Sequence, residues 1–206
     1  MSLLASNWDS RLLRLHFCSN GTFTQKILGF NAHISIKPYD TNITEDFYNK
    51  LKKKYKNTDI LKTYNGEAVV ITNDQAKGIL IRGIDTNEVK KLDFFKKNII
   101  DGDLNNFGNN KIIIGKQLAI ELGVVVGDKI NVMSSSLVST PLGIIPKQSI
   151  YTISSVFSSG LYEFDKNITF FNLQDALSFF EKNEDDINLE FFLDNPLNAN
   201  SYKDEI

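Results

Sequence analysis

Two carboxylates in the last quarter of the chain, Glu163 and Asp165, are the strongest candidates for chemistry. They stand two residues apart, so in an extended segment both side chains would point to the same side, as a glycosidase or metal-binding pair requires. The alternative is a turn whose acids accept hydrogen bonds from nearby amides, while Tyr162 and Phe164 pack. The turn is the favoured interpretation, and an enzyme using this pair stays open as a third-ranked hypothesis.

Other reactive side chains are few. The chain has two histidines, His16 and His33, and one cysteine, Cys18, so no zinc site of familiar spacing and no intramolecular disulfide can be built. Neither phosphate-binding glycine pattern, GxxxxGK[ST] or GxGxxG, occurs, and no serine lies in a GxSxG turn. Arg82, in a predicted strand, is expected to form an ion pair rather than an anion site. The sequence therefore predicts a non-catalytic protein without a cofactor or metal.

The bulk composition excludes further classes. The chain has 206 residues, 42% of them hydrophobic, and a formal net charge of −2. This is ordinary globular composition for one domain or two small ones, and it gives no basic excess of the kind that nucleic acid attracts. No apolar run reaches the ~18 residues of a membrane-spanning helix. The N-terminal segment, residues 1–22, is atypical, because arginines are scattered among its apolar residues.

The segment Ser135–Ile150, SSLVSTPLGIIPKQSI, is the best candidate for binding a partner. It lies between the predicted strands Lys129–Met133 and Ile150–Phe157, and it places two prolines around an apolar tip. Exposed apolar loops are costly unless something binds them, and proline hinders sheet pairing. We therefore predict a stiff projecting loop that grips another protein, the alternative being an arm folded back over its own core.

The elements around this arm mix helices, hairpins and strands, which favours an α+β fold. Thr44 caps a predicted helix over Thr44–Lys56, and Gly123 ends another over Lys116–Leu122. Further helices are predicted over Asn87–Asn98 and over Asn172–Lys182, the second with Asn172 as its N-terminal cap. The predicted strands, recognised by alternation or by β-branched runs, are Ala32–Lys37, Glu67–Thr72, Lys77–Ile84, Lys111–Ile114, Ile168–Phe171 and a last one carrying Leu189, Phe191 and Leu193. The polar tail Asn195–Ile206 is predicted to begin a helix.

Five segments in order resemble the LolC/LolE lipoprotein-releasing permeases. They are Lys26–Ile36, the GILIRGI strand Gly78–Ile84, the IIGKQLA…LGV…GDKI stretch from Ile113 to Ile130, the TPLGIIP arm Thr140–Pro146 and the stretch Phe157–Asp165. The match covers roughly Phe23 to Asn200. The resemblance implies a MacB-like periplasmic core, with a discontinuous Porter subdomain over 23–85 and 185–206 and an inserted Sabre subdomain over 86–184.

The resemblance also implies a role and partners. The chain would be the periplasmic domain of an inner-membrane ABC transporter permease, with ATP hydrolysed by a separate LolD-like subunit and with a LolC/LolE-like partner permease. A hairpin called the Hook, here residues 136–148, would recruit the LolA-like chaperone that carries lipoprotein substrates onward. Its expected chaperone-binding residues are Thr140, Pro141, Leu142, Gly143, Ile144, Ile145, Pro146, Lys147 and Gln148. The second-ranked alternative is a MacB-type efflux or FtsX-type signalling permease without chaperone recruitment.

Overall fold

The computed structural model describes residues 13–17, 32, 34–38, 43–56, 58–72, 75–140 and 143–193. For 13–17, 135–136, 138–140 and 144 the description is limited to the backbone. The predicted helix in the tail Asn195–Ile206 and most of the atypical segment 1–22 lie outside the described residues. No helix in the described part of the chain is both long enough and apolar enough to cross a bilayer.

Helices and strands are mixed along the described chain, as the α+β prediction requires. The helices are α1 Glu45–Lys54, α2 Thr86–Lys91, α3 Asp93–Asn98, α4 Lys116–Leu122, α5 Tyr162–Asn167 and α6 Leu173–Phe179. Short 3-10 turns occupy Leu104–Asn106 and Glu184–Asp186. The strands are β1 Leu13–Phe17, β2 Ile34–Pro38, β3 Asp59–Ile71, β4 Ala76–Ile84, β5 Ile99–Gly102, β6 Lys111–Gly115, β7 Lys129–Thr140, β8 Gly143–Phe157, β9 Ile168–Asn172 and β10 Asn188–Phe192.

All these strands belong to one sheet, in the order β1-β2-β10-β3-β4-β9-β6-β8-β5, with β7 pairing β3 and β8. Two pairs, β4 with β9 and β6 with β8, are parallel, and the other pairs are antiparallel. The last strand, β10, thus returns between β2 and β3. The chain leaves the first part of the sheet after β4, builds the second part, and comes back.

One end of the sheet is built by the unit β2-α1-β3. The Thr44 hydroxyl caps α1 by accepting a hydrogen bond from the backbone N–H of Phe47 at 3.2 Å, as the sequence predicts. The helix buries Leu51, and the following Tyr55 is buried as well. They belong to a core cluster with residues of β2, β3 and β10 and the adjoining residue 193, namely Ile34, Ile36, Ile60, Leu189, Phe191 and Leu193.

The middle of the sheet is covered by α6, which packs very closely on β3 and β4. A β-carbon at Gly83 would lie 2.6 Å from Cβ of Ala176, and one at Gly66 would lie 2.5 Å from the Phe180 ring. Glycine is therefore required at both positions, because any side chain would push the helix away from the strands. Asn172 caps α6 by accepting from the backbone N–H of Gln174 at 3.2 Å, as predicted.

The predicted helix over Asn87–Asn98 is wrong as a single helix. The chain forms α2 and α3, separated at Leu92, whose φ of −66° and ψ of 125° are extended. Val89 and Phe95 are both fully buried in a cluster rich in phenylalanine. At 100° per residue these two side chains would point about 120° apart on one continuous helix, so the break allows both to reach the same core.

One predicted strand, Glu67–Thr72, is shorter than the strand in the structure. Strand β3 begins at Asp59, eight residues before the predicted start at Glu67. Its early part is buried by pairing with β10, a partner distant in sequence. The C-terminal cap at Gly123 is as predicted, with a left-handed φ of 65°. The division into Porter and Sabre subdomains stays a prediction.

Candidate functional site

The arm predicted as a loop is the outer half of a long hairpin formed by β7 and β8. The pairing continues to Leu137↔Pro146, Val138↔Ile145, Ser139↔Ile144 and Thr140↔Gly143. The loop conformation predicted from the residue types is therefore wrong, whereas the hairpin over 136–148 that the resemblance implies agrees with this pairing. Pro141 and Leu142, which connect the strands, lie outside the described residues.

The prolines do not prevent this pairing, because Pro146 lies where β8 has a described neighbour on one side alone. Its partner is Leu137 of β7, and the inner neighbours of β8 pair farther along, from Thr152 onward. Proline is tolerated at such an edge, since the N–H it lacks is not needed by a second strand. Gly143 has a φ of 120°, which suits a residue that leaves a tight turn.

A bulge marks the place where the hairpin leaves the sheet. Between the pairs Met133↔Gln148 and Leu137↔Pro146, three residues of β7 oppose the single residue Lys147. The pairing of β7 with β3 ends at Ser134, at the start of this bulge. Bulges bend a strand and increase its twist. We call residues 137–146 the hairpin tip; they follow the bulge, and those of them that the structure describes pair only with one another.

The hairpin tip carries exposed apolar side chains on both of its faces. Leu137 is 63% exposed and Ile145 is 50% exposed. Directly opposed residues share a face, and Val138 opposes Ile145, so Leu137 and Ile145 point to opposite faces. At these two positions the body of the domain covers neither face. Leu137 was absent from the predicted site residues. Its apolar side chain within the arm was a signal that could have included it.

Two of the predicted site residues have partners within the domain. The ammonium of Lys147 donates a hydrogen bond to the carbonyl oxygen of Ser178 at 2.7 Å and lies 3.8 Å from the Glu181 carboxylate. It thereby binds the C-terminal end of α6, where a cation is favoured. The Gln148 side chain accepts a hydrogen bond from Asn131 at 3.1 Å. Their predicted contact with a chaperone stays a prediction.

The pair Glu163 and Asp165 lies on helix α5, so the extended geometry considered for a catalytic pair is wrong. Two residues apart on a helix, the side chains point in widely different directions. Asp165 is 5% exposed and accepts hydrogen bonds from the backbone N–H of Ser159 at 2.8 Å, its hydroxyl at 2.6 Å and the Ser158 hydroxyl at 3.2 Å. The favoured turn is wrong as well, because the segment is helical and Tyr162 is 54% exposed, but its prediction of an acid that satisfies local donors is confirmed for Asp165.

Arg82 forms the ion pair that the sequence predicts. Its guanidinium donates to the Glu190 carboxylate, and the side chains are 11% and 6% exposed. The Asn65 amide donates to the same carboxylate at 3.3 Å. Burial lowers the pKa of Arg82 from its ordinary value, while the charge of Glu190 opposes that shift. The pair ties β10 to β4 across the intervening strand β3.

Comparison with curated proteins gives relatives that carry the name LolC. The chain is 26% identical over 179 residues to the lipoprotein-releasing system transmembrane protein LolC of Neisseria meningitidis, covering 84% of this chain and 43% of that protein. It is 29% identical over 114 residues to LolC of Xylella fastidiosa, covering 54% and 28%. The resemblance to the LolC/LolE family is confirmed. The chain spans less than half the length of these LolC relatives.

Solved structures give the same fold for this LolC-like chain. The extracellular domain of the noncanonic ABC-type transporter YknZ from Gram-positive bacteria aligns with a TM-score of 0.51 at 18% identity, over 81% of this chain and 87% of that one. The periplasmic region of MacB from Actinobacillus actinomycetemcomitans aligns with a TM-score of 0.50 at 9% identity, over 95% and 82%. No family model matches the chain. These matches show that the chain shares the fold of these extracellular and periplasmic domains.

Proposed function

We propose that this chain is the periplasmic domain of a lipoprotein-releasing permease and that its hairpin tip recruits a LolA-like chaperone. In this role the domain is carried on the outer face of the bacterial inner membrane by membrane-spanning segments of a longer protein. The domain itself is non-catalytic, and a LolD-like subunit hydrolyses ATP. A LolC/LolE-like permease completes the transporter, and the chaperone takes the lipoprotein substrates onward. The Porter and Sabre subdomains and the Hook at 136–148 belong to this proposal.

The observation that carries the proposal is the two-sided apolar tip. Leu137 and Ile145 are exposed on opposite faces, beyond the bulge that releases the hairpin from β3. A tip that is apolar on both faces suits insertion into a partner's groove, since packing one face on the body would still leave the other in water. This argument also favours chaperone recruitment over the MacB-type or FtsX-type alternative, for which such a tip has no assigned use.

The expected affinity follows from the apolar area available. Burying a Leu or Ile side chain contributes about 1.5–3 kcal/mol. Three or four such residues, less the cost of association, give roughly micromolar binding, which suits a carrier that must leave again. The paired strands of the hairpin lower the ordering cost, because the tip is already held before it binds.

The test is capture of the purified cognate LolA-like chaperone by the full 206-residue chain carrying Ile145→Asp. A matched control is available in Ile120→Asp, which places the same charge at a residue of α4 that is 60% exposed. We expect Ile145→Asp, like Pro141→Gly and Ile144→Asp, to abolish capture without lowering thermal stability. We expect Ile120→Asp to capture normally. Equal capture by the Ile145 and Ile120 variants would refute the proposal.

A further inference from the structure

Five lysines crowd the end of α1 and the residues after it. They are Lys50, Lys52, Lys53, Lys54 and Lys56, which we call the lysine cluster, and each is exposed. The stretch from Phe47 to Thr58 contains no acidic residue, although Asp46 and Asp59 flank it. The whole chain has a net charge of −2, so this is a local concentration of positive charge on a mildly acidic protein.

The topology fixes the edge of the sheet at which this cluster lies. Strands β2 and β3 both pair antiparallel with β10, so they run parallel to each other. Helix α1 connects them and must therefore run back, with its C-terminal end at the edge where β3 starts. The first residue of β3, Asp59, pairs with Phe192, the last residue of β10. The lysine cluster thus lies at the edge from which the chain leaves β10.

We propose that the lysine cluster rests on the anionic phospholipid headgroups of the membrane that carries the domain. This inference rests on the proposed function, in which the polypeptide beyond β10 leads to a membrane-spanning segment. The edge of the sheet at which β10 ends is then the edge nearest the bilayer, and it faces the headgroup phosphates. Lysine on a flexible stem is a phosphate-binding cation that needs no fixed geometry.

Exposed lysines at the opposite edge of the sheet offer a comparison within the same domain. Lys129 begins β7, which pairs antiparallel with the end of β3, and Lys116 follows β6, which runs parallel to β3. Lys96 and Lys97 precede β5, whose first residue pairs with the end of β8 at that same edge. A membrane on the cluster's side of the sheet should therefore distinguish the two groups, although both are exposed.

The experiment measures sedimentation of the 206-residue chain with phosphatidylcholine vesicles, with and without a minority of phosphatidylglycerol, at an ionic strength where the Debye length is about 30 Å. One variant carries Lys50→Gln, Lys53→Gln, Lys54→Gln and Lys56→Gln. The control carries Lys96→Gln, Lys97→Gln, Lys116→Gln and Lys129→Gln, at the opposite edge of the sheet. Both variants change the net charge from −2 by four, to −6. They therefore differ in the position of the lost charge and not in its amount.

We expect the unmodified chain to bind the anionic vesicles alone, and the cluster variant to lose about fivefold in binding for each lysine removed. The control should lose far less. No binding to anionic vesicles, or equal loss in both variants, would overturn the inference. Displacement by inorganic phosphate well beyond that by sodium chloride of equal ionic strength would also overturn it, because that result indicates a site for a soluble anion.

The same proteins separate this inference from the proposed function. The cluster variant should capture the LolA-like chaperone normally, and the Ile145→Asp variant should bind vesicles normally. Loss of capture in the cluster variant would indicate that the lysines serve the chaperone, and would overturn the membrane assignment. Vesicle binding by a chain that captures no chaperone would refute chaperone recruitment while leaving the membrane contact in place.

Discussion

Removing one partner of the buried Arg82–Glu190 pair should cost far more than removing the pair. In Glu190→Leu the guanidinium of Arg82, whose side chain is 11% exposed, loses its carboxylate partner. Breaking a buried pair in this way costs about 3–5 kcal/mol of unfolding free energy, because an uncompensated charge stays buried. For a chain of this size each kcal/mol lowers the melting temperature by roughly 2–4 °C, so we expect a fall of about 6–20 °C.

The double variant Arg82→Met with Glu190→Leu tests the reason for that loss. It removes both charges and fills the space with apolar side chains, so most of the lost stability should return. The measurement is urea unfolding followed by circular dichroism. The slope of the unfolding free energy against urea concentration is compared among the variants, because an unchanged slope means that stability alone has changed. A matched exposed pair is Asp93 with Lys97, whose side chains are 72% and 73% exposed, and Asp93→Ala should leave the unfolding midpoint nearly unchanged.

Two results would contradict this reasoning. A cost of Glu190→Leu below about 1 kcal/mol would mean that the pair behaves like an ordinary surface ion pair. A double variant no more stable than Glu190→Leu would mean that the loss comes from packing or from the Asn65 hydrogen bond and not from the unpaired charge.

Two further predictions concern packing and pH. Gly115→Ala should cost at least about 1–3 kcal/mol in urea unfolding, because its Cβ would lie 1.9 Å from the carbonyl oxygen of Asp165. In the control Gly78→Ala the added Cβ would have no atom within 4 Å, so this variant should be neutral or slightly stabilising. Similar losses of unfolding free energy in the Gly115 and Gly78 variants would contradict the prediction. Burial and the nearby Asp175 raise the pKa of Tyr151 from 10.0 to about 12, so its contribution to the unfolding free energy is constant below pH 10 and falls as pH rises toward 12. Tyr151→Phe should lack this fall, and identical alkaline unfolding curves for the two proteins would refute the assignment.

Elements whose signals are local could be predicted from the sequence. Helix α4 begins and ends where the sequence predicts, because Gly123 can adopt the left-handed conformation that ends it. The caps at Thr44 and Asn172 are short-range hydrogen bonds to the next turn and need no tertiary partner. The apolar arm could also be found, because two prolines around an apolar tip can be recognised in the sequence without knowledge of any tertiary contact.

Features that depend on distant partners could not be predicted in this way. The break at Leu92 exists because Val89 and Phe95 must reach one core, a demand that their spacing alone does not reveal. The residue types of the arm predicted a loop, because proline hinders sheet pairing, and only the family resemblance implied a hairpin. The hairpin forms nevertheless, since Pro146 lies where a second neighbour strand is not needed.

The sequence by itself therefore determined the local segments and the apolar arm, because each rests on residue types and short spacings. Tertiary structure alone decided which strands meet, and with them the placement of Glu190 beside Arg82 and of the lysine cluster beside the end of β10. The physical reason is that strand pairing joins residues more than a hundred positions apart. Its register is set by burial of whole faces of the sheet, a property that no short stretch of sequence contains.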